Sequence, residues 1–353
     1  METGERATAA GEPAAAAMEE DGEAEAAAAM EEDPDDPYVL GFAEPPEDAR
    51  ALRRHRFPSK LGGRPAWLDP CATPGGAAAR CGHCGGGLRF LLQLYCPPAG
   101  DAPHAFHRAL FVFVCPRGAC AGRPGAARAF RSQMARANPF YPPEPAGPDD
   151  HEPPPPPRGE DGGGGGWDPG AWPEWELVDE DEPEEGEGAA AAGGRPLPKV
   201  EIGPVETEDG EDGGGGAEGA VDEAMFAEAS GERAQWEEFQ ARVGRAPDQC
   251  LRYKFGGGAA PLWPALQGRP EPADVPACPR CGAARAFELQ VMPQCLHYLG
   301  VDDTARDALD FATVAVFSCA ANCDFGLGYA EEVAWVQASA DGAVDLSGLR
   351  DGG

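Results

Sequence analysis

One cysteine-containing pattern occurs twice in this chain, once near each end, and both copies keep the same internal spacing. Cys81 and Cys84 form a Cys-x-x-Cys pair in the first copy, and Cys278 and Cys281 do so in the second. Equivalent residues lie 197 positions apart, and the Phe, Leu and Gln that follow each pair keep that spacing. A repeat of this kind predicts a duplicated structural unit.

Each copy continues into a run of apolar residues that ends in a second pair of cysteines. The first run leads to Cys115 and then Cys120, and the second leads to Cys319 and then Cys323. A Lys-x-Gly-Gly segment and a tryptophan also precede each copy. The repeated unit is therefore a domain-sized half and not a short finger.

Composition limits the part of the chain that folds to about two hundred residues. Residues 1–36 are mainly Ala, Glu and Asp, and residues 143–224 are mainly Pro, Gly, Ala and acidic residues. Such segments bury too little apolar surface to offset the entropy lost on ordering, so both are predicted to be disordered. In the remaining residues we predict an N-terminal half at 37–142, a C-terminal half at 225–338 that begins with a helix, and a flexible tail at 339–353.

The chain carries a formal net charge of −33 at pH 7. This charge argues against a nucleic-acid binder, because affinity for a phosphate backbone depends on clustered Lys and Arg. Acidic tracts are typical of solvated segments. They can also shield the charge of a strongly basic protein or dock to it. We expect a monomer with a basic protein partner.

The N-terminus is acidic and rich in Ala, without the positively charged and apolar regions of a secretory signal. No stretch approaches the ~20 apolar residues of a membrane-spanning helix. The sequence thus predicts a soluble, intracellular, cytoplasmic protein, with nuclear residence as a second option. In a reducing compartment, Cys-x-x-Cys pairs more often bind metal than form disulfides.

Hydrophobic patterning predicts a mostly β fold with minor helix: two related zinc-ribbon-like halves joined by a disordered acidic insert. Four segments have a rough period of two or are rich in β-branched and aromatic residues, which is typical of strands. They are residues 88–95 and 109–114 in the first half and 286–291 and 312–317 in the second. Helices are predicted over residues 221–243 and, as a shorter element, over residues 128–137.

Four cysteines per copy match a structural Zn²⁺ site, which takes four deprotonated ligands in a tetrahedron. The Gly after each Cys-x-x-Cys pair lets the backbone curl so that amides point at sulfur. We therefore predict about two structural zinc ions. Buried free cysteines and disulfides are the alternatives, and His83 or His107 is a candidate to replace a cysteine in the first site. The predicted ligands are Cys81, Cys84, Cys115 and Cys120 in the first site and Cys278, Cys281, Cys319 and Cys323 in the second.

The remaining cysteines have no equivalents in the other copy and are expected to be buried thiols. They are Cys71, Cys96, Cys250 and Cys295. Catalysis has little support, because motifs of nucleotide-binding loops, zinc proteases and serine hydrolases are missing from the sequence. Four cysteines also leave a zinc ion no open position for water. The sequence predicts that the protein is not an enzyme.

Several longer motifs fall in the two halves: Val-Leu-Gly-Phe-Ala-Glu-Pro at 39–45, Phe-Pro-Ser-Lys-Leu-Gly-Gly-Arg-Pro-Ala-Trp at 57–67, and Phe-Glu-Leu-Gln-Val-Met-Pro at 287–293. With these motifs the chain resembles the programmed cell death protein 2 family, whose shared region is called the TYPP domain. The resemblance covers about 37–142 and 230–338. Animal members carry a MYND-type zinc finger between the halves, whereas this chain has no cysteine there, so it resembles the yeast-like and plant-like members that lack the finger.

The resemblance implies a role in making the small ribosomal subunit, including rRNA processing. It implies a dedicated chaperone that escorts a newly made client, the eukaryotic small-subunit ribosomal protein two. Such a client is basic, so an acidic escort would shield its charge. The alternative is a zinc-ribbon adaptor in transcription, cell-death or cell-proliferation regulation. We also expect a groove between the two halves, lined by strand edges to which the client adds a strand.

Overall fold

The computed structural model describes residues 37–100, 102–144, 147, 165–184, 219–302 and 304–339. The predicted N-terminal tail, most of the predicted insert and all but the first residue of the predicted C-terminal tail lie outside these residues.

The described residues contain ten strands, which close into a single barrel through antiparallel pairs. Around the barrel the order is β1-β6-β2-β3-β4-β5-β10-β9-β8-β7, and β7 pairs back onto β1. The strands are β1 (Val39–Glu44), β2 (Lys60–Leu61), β3 (Arg89–Tyr95), β4 (His107–Val114), β5 (Ala127–Met134), β6 (Trp175–Asp181), β7 (Leu251–Tyr253), β8 (Arg285–Val291), β9 (Thr313–Cys319) and β10 (Ala330–Gln337).

The duplication is visible strand by strand, which confirms the predicted mostly β fold with two related halves. β2 to β5 form one antiparallel meander and β7 to β10 form the other. The pairing of β3 with β4 shifts register between Phe90 and Leu92, and the pairing of β8 with β9 shifts at the equivalent place. The side chains of Gln93 and Gln290 also accept equivalent bonds, from the amides of Ala66 and Leu262.

The two meanders are joined on both sides of the barrel, directly on one side and through β6 and β1 on the other. The groove expected between the halves stays a prediction. On one side β10 pairs with β5, through Ala330 opposite Arg131. On the other side β1 pairs with β7, through Val39 opposite Tyr253. Each seam thus satisfies the backbone groups that an open strand edge would expose.

The barrel interior is the main hydrophobic core, to which both halves contribute. It includes Leu92 and Val112 from the first half and Leu289 and Val316 from the second, all fully buried. A second, aromatic cluster covers the outer face of β3 to β5, where the Trp67 ring packs on buried phenylalanines. Strands β3 to β5 are therefore buried on both faces.

Two α-helices lie in the described residues: α1 (Gly219–Val243) and α2 (Cys295–Tyr298). The helix predicted over 221–243 is confirmed by α1, which packs through Phe239 and Val243 on Met292 in a small cluster of their own. The short helix predicted over 128–137 is wrong, because this segment forms β5. Pairing with β4 and with the distant β10 overrides its local helix propensity.

Part of the segment predicted as a low-complexity insert forms strand β6. Leu177 enters the barrel core, and the Trp175 indole donates a hydrogen bond of 2.8 Å to the Tyr298 carbonyl. Trp172 also packs against the core. Large aromatic side chains offset the ordering entropy locally, although the average composition of residues 143–224 does not.

Candidate metal centres

Each half brings its four cysteines into one cluster. In the first half, a turn before β3 carries Cys81 and Cys84, Cys115 follows the end of β4, and Cys120 ends the next turn. All four sulfur atoms lie within 4.8 Å of one another. His83 belongs to neither group of clustered ligand atoms, so four cysteines form this cluster.

The second half repeats the arrangement on β8 and β9. Cys278 and Cys281 precede β8, Cys319 ends β9, and Cys323 follows in the next loop, with all four sulfurs again within 4.8 Å of one another. Sequence reasoning named these eight cysteines, and the structure brings them together as two sets of four.

The turns that hold the first pair of cysteines have the same backbone geometry in both halves. The amide of Gly85 donates to the Cys81 carbonyl at 2.9 Å, and the amide of Gly282 donates to the Cys278 carbonyl at 2.9 Å. These glycines have φ values of 70° and 76°, in the left-handed region that glycine adopts without strain. Both turns thus curl in the way predicted for the glycine after each pair.

The spacing of the sulfur atoms suits a tetrahedral metal ion. In the first cluster the Cys84 and Cys115 sulfurs are 3.7 Å apart. In the second, the Cys281–Cys319 distance is 3.5 Å and the Cys278–Cys323 distance is 3.8 Å. A tetrahedron with zinc–sulfur bonds of about 2.3 Å has ligand separations of about 3.8 Å. The clusters thus have the donor set and the size of closed metal sites.

One thiol in each cluster is acidified by its own turn. The amide of Gly86 is directed at the Cys84 sulfur and lowers the pKa of that thiol to about 7. Burial opposes ionisation of Cys278, but two amides of its turn and the thiols of Cys281 and Cys319 together outweigh burial and lower its pKa to about 7. Burial raises the pKa of Cys115 to about 11 and that of Cys323 to about 12. A cation is therefore needed to hold all four thiols of a cluster as thiolates.

Each cysteine loop is held by the opposite half of the protein. In the loop from Cys115 to Cys120, the amides of Gly118 and Ala119 donate to the carbonyl and the carboxylate of Asp307, at 3.2 and 2.9 Å. Asp307 belongs to the connection between β8 and β9. The first cluster therefore depends on a residue nearly two hundred positions away in the chain.

The loop from Cys319 to Cys323 is held in the same way by side chains of β4 and β5. The Asn322 side-chain oxygen accepts hydrogen bonds from Arg108 at 3.0 Å and from Arg131 at 3.1 Å. The Cys323 carbonyl accepts from Gln133 at 3.0 Å, and the Arg131 guanidinium lies 3.8 Å from the Cys323 sulfur. A positive charge close to sulfur stabilises the thiolate form.

The same arginines form buried ion pairs between the halves. Arg108 donates to Glu288 at 2.8 Å, and both side chains are about 1% exposed or less. Arg131 donates to Glu332 at 2.8 Å and is also fully buried. Sequence reasoning missed these residues, since no local pattern shows which distant strand an arginine faces.

The four remaining cysteines differ from one another in burial. Cys96, Cys250 and Cys295 are buried as predicted, and burial raises the pKa of Cys96 and Cys250 to about 12. Cys71 is exposed, so its predicted burial is wrong. It lies in an irregular loop where its amide, not its thiol, is held by the Asp69 carboxylate. His107 is buried beside the stacked Phe57 ring, away from the first cluster.

Fold and site together define the class of this protein: a duplicated β-barrel protein in which each copy carries a four-cysteine candidate metal centre. The family models for the N-terminal and C-terminal domains of programmed cell death protein 2 match residues 37–148 and 233–338. The chain belongs to the programmed cell death protein 2 family.

Similar proteins align with this chain over segments of very different lengths. Programmed cell death protein 2 of Rattus norvegicus is 34% identical over 339 residues, which span 81% of this chain and 92% of the rat protein. Programmed cell death protein 2-like of Gallus gallus is 47% identical over 79 residues, or 22% of this chain and 19% of the chicken protein. "Probable 20S rRNA accumulation protein 4" of Schizosaccharomyces pombe is 32% identical over 94 residues, or 24% of this chain and 22% of the yeast protein. No solved structure matches the chain.

Within the described residues, no helix has both the length and the apolar character needed to cross a membrane.

Proposed function

We propose that the protein is an escort of a newly made, basic small-subunit ribosomal protein and supports assembly of the small ribosomal subunit. The family relationship carries this proposal, because one relative bears a name that refers to accumulation of 20S rRNA. The client that the family resemblance implies is the eukaryotic small-subunit ribosomal protein two. The name of this relative supports a role in the process of ribosome assembly. The identity of the client is the part of the proposal that the experiment below tests.

The charge of the chain supports a basic client. A net charge of −33 produces an attractive field for a cationic protein and raises its association rate, while it repels nucleic acid. An escort of this kind competes with RNA for the basic surface of its client until the client reaches its site. The same field predicts that binding weakens as salt is added.

We further propose that both cysteine clusters hold structural Zn²⁺. The observed sulfur spacings fit zinc–sulfur bonds of about 2.3 Å, and four cysteines leave no open coordination position for substrate or water. The metal therefore stabilises the fold and performs no chemistry, in keeping with a cytoplasmic binding protein that is not an enzyme. In each centre, the amides of the glycine turn and the loop contacts from the other half orient the ligands.

The test is a purification of the tagged full-length protein from a translating cell extract, with partners identified by mass spectrometry and zinc measured on the same sample. We expect strong enrichment of one small-subunit ribosomal protein without mature ribosomes, and about two zinc ions per chain. A charge-matched acidic protein carrying the same tag serves as the control for non-specific capture. Recovery of transcription or signalling partners without a ribosomal protein would replace the escort by the adaptor function.

A further inference from the structure

Among the described residues, strand β6 has a neighbouring strand on one side along almost its whole length, but on the other side only at its start. β1 pairs with residues 176–181, whereas β2 pairs only with Trp175 and Glu176. The cause lies before β2, where Phe57 has a φ of 51° and Pro58 has no amide hydrogen. The chain therefore leaves the sheet there, and the second edge of β6 loses its partner.

The backbone groups at this edge point away from β1. The amide of Leu177 donates to the Ser59 carbonyl at 3.0 Å, on the side of β2, whereas the amide of Glu182 donates to the Tyr38 carbonyl at 2.7 Å, on the side of β1. Successive amides of a strand alternate between its two sides, so the N–H and C=O of Asp179 point the same way as those of Leu177. No described strand pairs with Asp179 there. Such an edge is a template for an additional strand.

A cavity of about 200 Å³ lies beside this edge and is lined in part by Leu177 and Asp179. Its apolar lining comes from Leu94, Leu177 and Leu251. Ser59 and Asp179 line both this cavity and an open groove, so the two spaces lie next to each other. A dry cavity of about 150 Å³ already accepts a ring the size of benzene, so this one has room for an apolar side chain. We call the cavity, the groove and the free edge of β6 the β6 cleft.

The β6 cleft is acidic. Residues 174–182 contain six acidic residues and no Lys or Arg. The first and last of these are ion-paired, to Lys60 and to two arginines. The remaining four form no ion pair within the described part of the chain; they are Glu176, Asp179, Glu180 and Asp181.

The other charges around the groove offset only part of this acidity. Glu176 lies directly opposite Glu44 on β1, and like charges in that arrangement destabilise a sheet. Arg50 in the groove is already paired with Asp48, and Arg56 donates to a backbone carbonyl. A cationic ligand would therefore relieve a repulsion that the free protein carries.

We propose that the β6 cleft binds an extended, basic segment of a protein, which adds as a strand to the free edge of β6 and places one apolar side chain in the cavity. For the identity of that protein the proposal rests on the proposed escort function. Main-chain bonds to the edge provide affinity, and alternation of apolar and basic side chains provides selectivity. The acidic rim disfavours RNA, which has no cation to offer.

The direct test uses the full-length protein and a fluorescein-labelled ten-residue peptide of alternating Arg and Val, with the matching Glu and Val peptide as a negative control. Fluorescence anisotropy at low salt reports binding. Asp179→Lys places a cation at the cleft and is expected to weaken binding at least tenfold. The matched control is Glu238→Lys at an exposed position of α1, which changes the net charge equally and lies outside the lining of the cleft; it is expected to weaken binding less than threefold.

A second measurement keeps the outcome clear if a variant folds poorly. Hydrogen exchange of the wild-type protein is compared with and without the Arg and Val peptide. The amide of Asp179 is expected to become protected on binding, whereas that of Glu180, which faces β1, keeps its exchange rate. Equal losses for the two charge variants, an Asp179 amide that stays unprotected, or tight binding of polyuridine RNA at the same place would overturn the proposal.

Purification from cell extract separates this inference from the proposed function. If the wild type and Asp179→Lys enrich the same ribosomal protein equally, the escort function stands and the β6 cleft is not its docking site. If the wild type binds the basic peptide with Asp179 protection but enriches no ribosomal protein, the cleft stands and the escort function fails.

Discussion

The buried pair between Arg108 and Glu288 offers the sharpest test of how the two halves are held together. The pair joins β4 to β8, and both side chains are shielded from water. The Glu288 carboxylate also accepts a hydrogen bond from Ser318. Glu288→Gln keeps the size of the side chain and removes its charge, so the Arg108 cation stays buried without its counter-ion.

The expected cost follows from that uncompensated charge. Removing one partner of a buried ion pair costs about 3–5 kcal/mol, because the desolvation penalty of the other partner remains. Domains are stable by only about 5–15 kcal/mol, so the variant loses a large part of its stability. For a folded core of this size, the midpoint of thermal unfolding should fall by roughly 6–20 °C.

Urea unfolding followed by tryptophan fluorescence, at a fixed free zinc concentration, measures the change in the free energy of unfolding. The control is the double variant Arg108→Met with Glu288→Leu, which replaces both charges with apolar groups and is expected to recover part of the loss. The remainder reflects the lost hydrogen bond from Arg108 to Asn322. A Glu288→Gln variant within about 1 kcal/mol of the wild type would refute the reasoning, since that is the ordinary effect of an exposed pair.

Three further predictions concern the metal centres and a buried histidine. Cys81→Ser should reduce bound zinc from about two to about one per chain in mass spectrometry, whereas the exposed Cys71→Ser should keep both; loss of zinc from both variants would contradict the ligand set. Gly282→Ala should cost about 1–2 kcal/mol in urea unfolding, because φ is 76° there although a Cβ meets no atom within 4 Å. Burial lowers the pKa of His107 from 6.5 to about 4. Between these pH values the unfolded chain binds more protons than the folded protein. The free energy of unfolding should therefore fall by about 2–3 kcal/mol as the pH drops through that window. His107→Asn should flatten this dependence in pH-dependent unfolding, and an unchanged slope would assign it to other groups.

The sequence predicts most strongly what repeats within it. The two cysteine clusters, the glycine of each turn and the two main strands of each half follow from spacing and periodicity, which are local properties of the chain. The same reasoning fails for β5. Arg131 and its neighbours look helical in isolation, but pairing with β4 and with β10, about two hundred residues away, makes them a strand.

Closure of the barrel lies beyond local patterns for a related reason. β6 sits in a segment whose average composition is that of a linker, and only the tryptophans near Leu177 indicate that it packs. The hydrogen bonds from Asp307 and Asn322 to the opposite cysteine loops depend on how the meanders meet. Sequence periodicity does not indicate how the two meanders pack against each other, so it does not predict these contacts.

Because β1 pairs with β7, the first strand to leave the ribosome has to wait for one of its partners. Val39 lies opposite Tyr253, and at a synthesis rate of about 5–20 residues per second that delay is roughly 10–40 s. β5 waits in the same way for β10. Neither cysteine loop gains its contacts from the other half before then, so the N-terminal half is exposed during translation without its closing strands. A protein proposed to protect another nascent chain thus passes through an unprotected stage of its own.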